Sequence, residues 1–319
     1  MKRSIYSLIV VFACVAFAAT KVSAENKTES DKQDVIYIKS VKFVTPLLNQ
    51  WISEYAKVKP GIKLAVADKN VEQEEADIQL LISERERENL QQGQYYSSVG
   101  RYAVLPVAGK DNLLLDDFEK KRLNVKRLKE LFFEKDDLVE QNSTEKDKYN
   151  ATVYSGNNPS SVSHAFASHF GFNPGNLKGK KISGDDIYLI NAIQKDEKGV
   201  SINNLAYLYD INSRRLKQEI AILPLDLKKE QSAILEESDL DKLIDLLESK
   251  SIDLIPVEEI SFVFHNDINP EVKEFLQWVL SEGQAYNHRF GFLNLDEKRL
   301  AQQKEELKAV RLLTYSNPQ

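Results

Sequence analysis

Strand-like and helix-like patterns alternate along this chain with short connections, and this alternation limits the folds that it can adopt. The β-branched and aromatic run Val35–Ile38 is followed by Thr45 and Pro46, which predict a helix cap and a first-turn proline. Apolar residues then recur with helical spacing until Pro60-Gly61, and residues 62–66 form the next strand-like run. A β-α-β order of this kind indicates a sheet covered by helices, and therefore an α/β fold.

The alternation continues over the rest of the chain. Strands are predicted at 77–82, 102–107, 152–154, 220–225 and 260–264, and residues 205–209 are predicted to be extended. Helices are predicted at 116–133 (as one helix or two short ones), 161–170, 185–194, 239–249 with Ser238 as its cap, 270–281 and 296–310. A chain of 319 residues with these elements can bury one large core or two ordinary ones.

Composition excludes several classes of protein. A hydrophobic fraction of 42% argues against disorder, and one Cys with four scattered His argues against disulfide frameworks, zinc ribbons and iron–sulfur clusters. The formal net charge of −6 disfavours polyanions, so nucleic acid is not expected as a partner. No Ser/His/Asp set, Walker loop or paired-carboxylate helix stands out, so the sequence predicts a non-enzymatic binding protein without a cofactor or a metal.

The N-terminus has the pattern of a secretory signal peptide. Lys2 and Arg3 precede the apolar run at 5–19, and Val22-Ser23-Ala24 supplies small residues for cleavage. The run is shorter than the roughly 20 apolar residues that a membrane span needs. Cleavage after Ala24 would also remove the only Cys, so the mature chain is expected to be a soluble bacterial periplasmic protein.

Lipidation is the alternative for the same segment. Cys14 follows an apolar stretch, as the modified Cys of a lipoprotein does. However, Phe12 stands where a lipobox requires a small residue, so cleavage after Ala24 is the favoured interpretation.

Several short segments occur in the order and spacing of a known family. They are Ile36-Tyr37-Ile38, Pro46-Leu47, Trp51, Pro60-Gly61-Ile62 and Ala76-Asp77-Ile78 near the start, and Asn269-Pro270-Glu271-Val272, Phe275-Leu276, residues 279–284 and Gly291-Phe292 near the end. Through these segments the chain resembles the phosphate-binding proteins of bacterial ABC uptake systems. The resemblance implies a type II periplasmic-binding-protein-like α/β fold with two lobes, each a mixed sheet flanked by helices, around a ligand cleft.

The resemblance also implies domain limits and partners. Residues 1–24 would be the signal peptide, residues 25–104 plus 220–319 the first lobe, and residues 105–219 the second lobe. The implied ligand is a small, phosphate-like anion. The implied partner is an inner-membrane permease.

The first two anion contacts of the family are altered in this sequence. Ser40-Val41-Lys42-Phe43 stands where the family has a G-S-x-T turn, so apolar Val41 and Phe43 replace both expected hydroxyls. Ser40, Lys42 and the helix start at Thr45 are left as candidate ligand-binding groups, although a simple helix cap is favoured for Thr45. The second contact should be a glycine- and serine-rich loop, but residues 67–75 carry four acids, which would repel an oxyanion.

The third anion contact has lost its arginine. The family places an Arg just before a serine-rich helix entry in the second lobe, whereas residues 154–162 contain none. Ser155, Ser160, Ser161 and Ser163 are the candidate ligand-binding residues here, because hydroxyls and backbone N–H groups at a helix entry can bind carboxylate, sulfate or phosphate. A helix cap in a serine-rich turn is an equally good interpretation.

Two functions therefore stay open. The first is an exported solute-binding protein that resembles the phosphate-binding component of an ABC transporter, with weak or altered anion specificity. The second is an envelope adaptor or sensor that uses the same scaffold to bind a protein partner. The loss of most anion ligands favours the second, and the order of the segments favours the first.

Overall fold

The structure is a computed structural model, and it describes residues 35–67, 76–134, 149–265 and 268–310. The predicted signal peptide (1–24), Cys14 and all but the first residue of the acidic loop 67–75 lie outside the described residues. Within the described ranges, none of the helices has the length and apolar character needed to cross a bilayer.

Most strands are short, and one is long. They are β1 (Ile36–Lys39), β2 (Leu64–Val66), β3 (Ile78–Leu81), β4 (Gln94–Gly109), β5 (Thr152–Gly156), β6 (Lys180–Ile182), β7 (Gly199–Asn204), β8 (Tyr209–Asp210), β9 (Arg215–Leu216), β10 (Ile220–Ile222) and β11 (Val257–His265).

The helices lie between these strands and after the last one. They are α1 (Thr45–Val58), α2 (Glu84–Glu88), α3 (Leu115–Lys120), α4 (Val125–Phe132), α5 (Val162–His169), α6 (Ile187–Ile193), α7 (Leu205–Leu208), α8 (Lys229–Glu237), α9 (Leu240–Ser249), α10 (Pro270–Val279) and α11 (Glu297–Ala309). Residues 116–133 therefore form two short helices, which is one of the two predicted forms.

Nine of the described strands form one mixed sheet in the order β2-β1-β3-β11-β4-β7-β5-β6, with β10 paired to β4. Parallel pairs lie on both sides of β4: β1 with β2 and β3, and β5 with β6 and β7. Residues 94–103 of β4 pair antiparallel with β11, and residues 104–108 pair antiparallel with β7. The strand β4 thus runs through both parallel groups.

The described residues, between 35 and 310, belong to one structural unit. The two lobes that the sequence predicts, 25–104 plus 220–319 and 105–219, stay a prediction. The core is continuous along the sheet and includes the largest fully buried side chains, such as Trp51, Tyr102, Phe166 and Phe262.

Helix α1 packs on the sheet through the face that its sequence predicts. Leu47, Leu48, Trp51 and Tyr55 are its buried residues, and Pro46 occupies its first turn. The Trp51 indole N–H donates to the Gly283 carbonyl at 2.8 Å, so the one polar atom of this buried ring is paired.

The start of α1 differs from its prediction. The cap position is Val44, which makes no side-chain capping bond, and Thr45 is the first helical residue. The Thr45 hydroxyl donates to the Val41 carbonyl at 3.1 Å. Thr45 lies inside the first turn, and its hydroxyl bonds back to the carbonyl four residues earlier instead of capping the free N–H groups ahead of it.

Residues 205–209 are helical rather than extended over most of their length. They follow β7 directly and form α7, and only Tyr209 belongs to a strand. The side chain of Asn204 caps this helix by accepting from the Tyr207 N–H at 3.0 Å. The apolar residues Leu205 and Leu208, three apart, are buried on one side of this short turn, which a strand-like alternation does not predict.

Ser238 has a different role from the one predicted. It ends α8, a helix absent from the sequence prediction, in a left-handed conformation with φ of 54°. The next residue, Asp239, caps α9 by accepting from the N–H groups of Asp241 and Lys242. A carboxylate at this position also suits the positive end of the helix dipole.

The fold brings three loops to one place. Each of the parallel strands β1, β5 and β6 ends where a helix begins, and the connecting residues are 40–44, 157–161 and 183–186. The carboxyl ends of parallel strands are where α/β sheets bind ligands. These three loops form the candidate site.

Candidate functional site

A cavity of about 530 Å³, which we call the cleft cavity, lies between these loops. Its wall includes Ser40 and Lys42 from the loop after β1, and Ser160 from the loop after β5. Three of the seven residues that the sequence singles out therefore meet at one cavity. Thr45, Ser155, Ser161 and Ser163 are not among the described residues that line it.

The loop after β1 offers few donors to this cavity. Phe43 is 4% exposed, with its ring centroid 5.2 Å from that of Tyr102 and 6.0 Å from that of Phe292. Val41 packs against the same core. The Ser40 hydroxyl donates to the Val41 carbonyl at 3.1 Å, so it already has an acceptor within its own loop.

Lys42 is the cation of this loop, and an acid faces it. Its Nζ lies 3.6 Å from the Asp185 carboxylate, whose side chain is 8% exposed. Asp185 also accepts from the Ile187 N–H at 3.1 Å, and thereby fixes the start of α6. An anion that entered here would compete with Asp185 for Lys42 and would be repelled by its carboxylate.

Acids outnumber bases around the cleft cavity. The ionisable residues in its wall are Lys39, Lys42, Glu86, Asp185 and Asp186. Glu86 is bonded to the Ser83 hydroxyl and the Ile82 N–H near α2, and its burial raises the pKa of its carboxyl. The described wall therefore carries two lysines against three carboxyl groups, which disfavours a dianion.

The serine-rich entry to α5 is used by groups of the protein itself. Ser160 donates to the Asn158 side-chain carbonyl from both its N–H and its hydroxyl, at 3.2 and 3.0 Å. Ser161, 2% exposed, is the N-cap and accepts from the Ser163 N–H at 3.2 Å. The Ser163 hydroxyl in turn accepts from the Gly156 N–H at 2.8 Å.

Two donors at the entry to α5 are bound by a carboxylate from another loop. The Ser161 hydroxyl donates to one oxygen of Asp186 at 2.5 Å, and the Val162 N–H donates to the other at 2.9 Å. Asp186 is 5% exposed. Burial raises the pKa of its carboxyl to about 6, against the lowering effect of the two donors.

A glycine makes this close contact possible. A Cβ placed on Gly156 would lie 2.1 Å from the Ser161 hydroxyl oxygen and 3.1 Å from an Asp186 oxygen. Only glycine leaves room for the α5 entry and the Asp186 carboxylate to approach the end of β5.

Ser155 faces away from solvent and is paired with a lysine. It is fully buried, and its hydroxyl accepts from Lys181 Nζ at 3.0 Å. Lys181 also donates to the Leu177 carbonyl at 2.7 Å, and burial lowers the pKa of its ammonium group. Ser155 has no exposed surface for a ligand, whereas Lys181 is exposed.

A second cavity of about 660 Å³ adjoins the cleft cavity and shares Gln79, Glu86 and Pro159 with it. We call it the amide groove, because side-chain amides dominate its polar lining; they belong to Gln79, Asn89, Gln91, Gln94, Asn157 and Asn173. Each amide carries both donor and acceptor atoms, so the groove suits a neutral, hydrogen-bonding ligand better than an anion.

Asp186 and Lys181 are the residues that sequence reasoning misses. Asp186 follows Gly184-Asp185 and precedes α6, where an acid is ordinary, and its partner Val162 lies 24 residues away. Lys181 belongs to the basic segment 178–181, and its ammonium group is bonded to Ser155 and Leu177. Neither the Asp186 contact with the α5 entry nor the Lys181 contact with Ser155 leaves a signal in a single sequence. The first joins two loops and the second joins strands β5 and β6, and only the fold brings these together.

Comparison with known proteins identifies the fold. No protein-family model matches the sequence, and no curated protein matches it. A crystal structure with bound phosphate, described as a putative phosphate ABC transporter substrate-binding protein from Clostridium perfringens, is 14% identical to this chain. The match covers 82% of this chain and 100% of that protein, with a TM-score of 0.54.

Two further solved structures match over similar lengths. An ABC-type phosphate transport receptor from Vibrio cholerae is 11% identical, with coverage of 82% and 100% and a TM-score of 0.54. The regulatory domain of CcmR from Synechocystis PCC6803, in complex with 2-PG, is 12% identical, with coverage of 78% and 97% and a TM-score of 0.47. The matches to the Clostridium perfringens and Vibrio cholerae proteins confirm the predicted type II periplasmic-binding-protein-like α/β fold. At these identities the likeness is one of fold.

Proposed function

We propose that this chain is an exported, non-enzymatic solute-binding protein with weak affinity for phosphate. Export rests on the signal-peptide pattern at residues 1–24, and a permease of the inner membrane would be the partner that receives the solute. The proteins from Clostridium perfringens and Vibrio cholerae, which share this fold, are described as phosphate-transport proteins. The cleft cavity, between the proposed lobes 25–104 plus 220–319 and 105–219, would hold the ligand.

The proposed weak affinity rests on one observation: the groups expected to bind phosphate are apolar or are already paired within the protein. Phe43 is buried, Lys42 faces Asp185, and the Ser161 hydroxyl and the Val162 N–H bind Asp186. A charge-assisted hydrogen bond contributes about 1.5–3 kcal/mol, whereas micromolar binding requires about 8 kcal/mol in total. A phosphate without three or four such bonds therefore falls short of the affinity that uptake requires.

Calorimetric titration of the mature chain with inorganic phosphate tests this proposal. We expect a dissociation constant of about 1 mM or weaker, because the available donors support only a few kcal/mol. Sulfate and a small carboxylate serve as comparison ligands. Micromolar binding of phosphate that is lost in Ser160→Ala/Ser161→Ala would contradict the proposed weak affinity and would indicate an ordinary phosphate receptor.

A second candidate function is an adaptor or sensor that binds a protein partner. The amide groove favours it, because side-chain amides can pair with the N–H and C=O groups of an extended peptide. The described residues of its lining include few charged side chains. The partner would then present a neutral, polar segment rather than an anion.

Paired variants of the groove test this second candidate. Gln91→Ala/Asn157→Ala removes two lining amides, and Asn191→Ala, on the exposed side of α6, removes one amide elsewhere. For an identified envelope partner, we expect the groove variant to weaken binding about tenfold or more and the control to leave it unchanged. Equal binding by both variants would exclude the groove as the contact.

A further inference from the structure

The Asp186 carboxylate accepts hydrogen bonds from two donors at the α5 entry. Each of its two oxygens accepts from a different donor of the α5 entry, the Ser161 hydroxyl at 2.5 Å and the Val162 N–H at 2.9 Å. Backbone N–H groups and hydroxyls at a helix start are the donors that bind phosphate or sulfate in other proteins. Here the negative group belongs to the chain itself.

The backbone holds Asp186 in this position. The Asn203 side-chain amide donates to the Asp186 carbonyl at 2.7 Å, from the end of β7. On the other side, α6 begins at the next residue. The main chain of Asp186 is therefore anchored at the end of the sheet, next to the α5 entry.

The two consecutive acids serve different partners. Asp185 faces Lys42 across the cleft cavity, whereas Asp186 faces the α5 entry. Both line the cleft cavity, so each contributes one negative charge to its wall. Of the two, Asp186 is the one that occupies donors of the α5 entry. This difference makes Asp185 a matched control for charge.

Capping alone does not account for a buried carboxylate at this place. Ser161 already caps α5 by accepting from the Ser163 N–H. Burial of the Asp186 charge opposes its ionisation, as its raised pKa shows, so an uncharged side chain that accepts from the Val162 N–H would cap α5 with a smaller desolvation cost. A fixed negative charge does add one property that a neutral cap lacks, which is repulsion of a second anion.

We propose that Asp186 is a specificity-determining residue that acts as an internal substitute for an oxyanion and excludes oxyanions from the α5 entry. The inference rests on the proposed function, since it takes the cleft cavity as the ligand site. The inference names the residue that would cause the weak phosphate affinity and explains how: the donors of the α5 entry are present, but the Asp186 carboxylate occupies them.

The test is a gain of anion binding on removal of the carboxylate. Asp186→Ala frees the Ser161 hydroxyl and the Val162 N–H and leaves a space of carboxylate size beside them. Formate is the smallest probe of that shape, and inorganic phosphate is the second probe. We expect formate, at about ten times its dissociation constant, to raise the melting temperature of Asp186→Ala by about 2–4 °C.

Three comparisons decide the outcome at pH 7.5. The wild-type chain should show no such rise, because it retains Asp186. Asp185→Ala frees Lys42 but leaves the α5 donors occupied by Asp186, so it should show a smaller rise than Asp186→Ala. Asp186→Ala/Ser161→Ala should lose most of the rise, because one of the two donors is gone. If Asp186→Ala unfolds in plain buffer, formate should restore its melting transition, whereas chloride at equal ionic strength should not.

The contrary results are also distinct. A folded Asp186→Ala that ignores both anions, or an unfolded one that formate does not restore, would overturn the role of Asp186 and leave the weak phosphate affinity standing. An equal rise in Asp185→Ala would show that net charge, rather than the freed donors, is responsible. Tight phosphate binding by the wild-type chain would instead overturn the proposed function.

Discussion

Replacement of Gly156 by alanine is expected to lower the free energy of unfolding by about 2–4 kcal/mol. The added Cβ would lie 2.1 Å from the Ser161 hydroxyl oxygen and 2.7 Å from the Ser161 Cβ. Rotation of the Ser161 side chain relieves only the first contact, and it breaks the bond to Asp186. The start of α5 must therefore shift as well. Urea denaturation followed by circular dichroism measures the change.

The chain offers a matched control and a compensating change. A Cβ on Gly175 would meet no atom within 4 Å, so Gly175→Ala should stay within about 0.5 kcal/mol of the wild type. Gly156→Ala/Ser161→Gly should recover part of the loss, because glycine removes the clashing atoms and is tolerated at a helix cap. Equal stability of Gly156→Ala and Gly175→Ala would contradict the close packing of the α5 entry.

Asp186→Asn is expected to stabilise the chain at pH 7.5 by about 1–3 kcal/mol. Burial is the main cause that raises the pKa of the Asp186 carboxyl, from 3.8 to about 6, and the Asp185 charge adds to it. Between about pH 4 and pH 6 the folded chain thus binds more protons at this site than the unfolded chain does. The contribution of the Asp186 carboxyl group to the free energy of unfolding therefore falls as the pH rises through this range, and it stays low at higher pH. Asparagine has no charge to desolvate and keeps an acceptor for the α5 donors.

The pH dependence separates this effect from a general change in packing. Urea denaturation of both proteins at several pH values should show the advantage of Asp186→Asn at pH 7.5 and little difference near pH 4. Asp185→Asn, which loses the contact with Lys42, should bring no stabilisation at either pH. An advantage of Asp186→Asn that is the same at all pH values would contradict a buried, ionised carboxylate.

The fold can be predicted well where local patterns are strong. The β1-α1-β2 order follows from the β-branched run at Val35–Ile38 and from the apolar face of Leu47, Trp51 and Tyr55, and both are present in the structure. Strand β7 escapes prediction because its residues Ser201, Asn203 and Asn204 are polar yet buried, which the alternation rule does not anticipate. Helix α7 is also missed by the sequence prediction. Its residues Leu205 and Leu208 are buried by tertiary packing, and this burial favours a helical turn over an extended segment.

The candidate site can be predicted only in part. The sequence places Ser40, Lys42 and Ser160 after strands, and the structure brings all three to the cleft cavity. The sequence gives no indication that Asp186 binds the donors of the α5 entry, because that contact depends on how the loop after β6 packs on the end of β5. The apolar residues Val41 and Phe43 stand where the resemblance leads us to expect hydroxyls, and this can be predicted from the sequence. The group that occupies the remaining donors is visible only in the structure.

The most direct test of the account is a crystal structure of the mature chain grown at pH 7.5 with phosphate at high concentration. The account predicts that both oxygens of Asp186 accept from the Ser161 hydroxyl and the Val162 N–H, with no phosphate at the α5 entry. A phosphate bound to the Val162 N–H, with Asp186 displaced from it, would contradict the account.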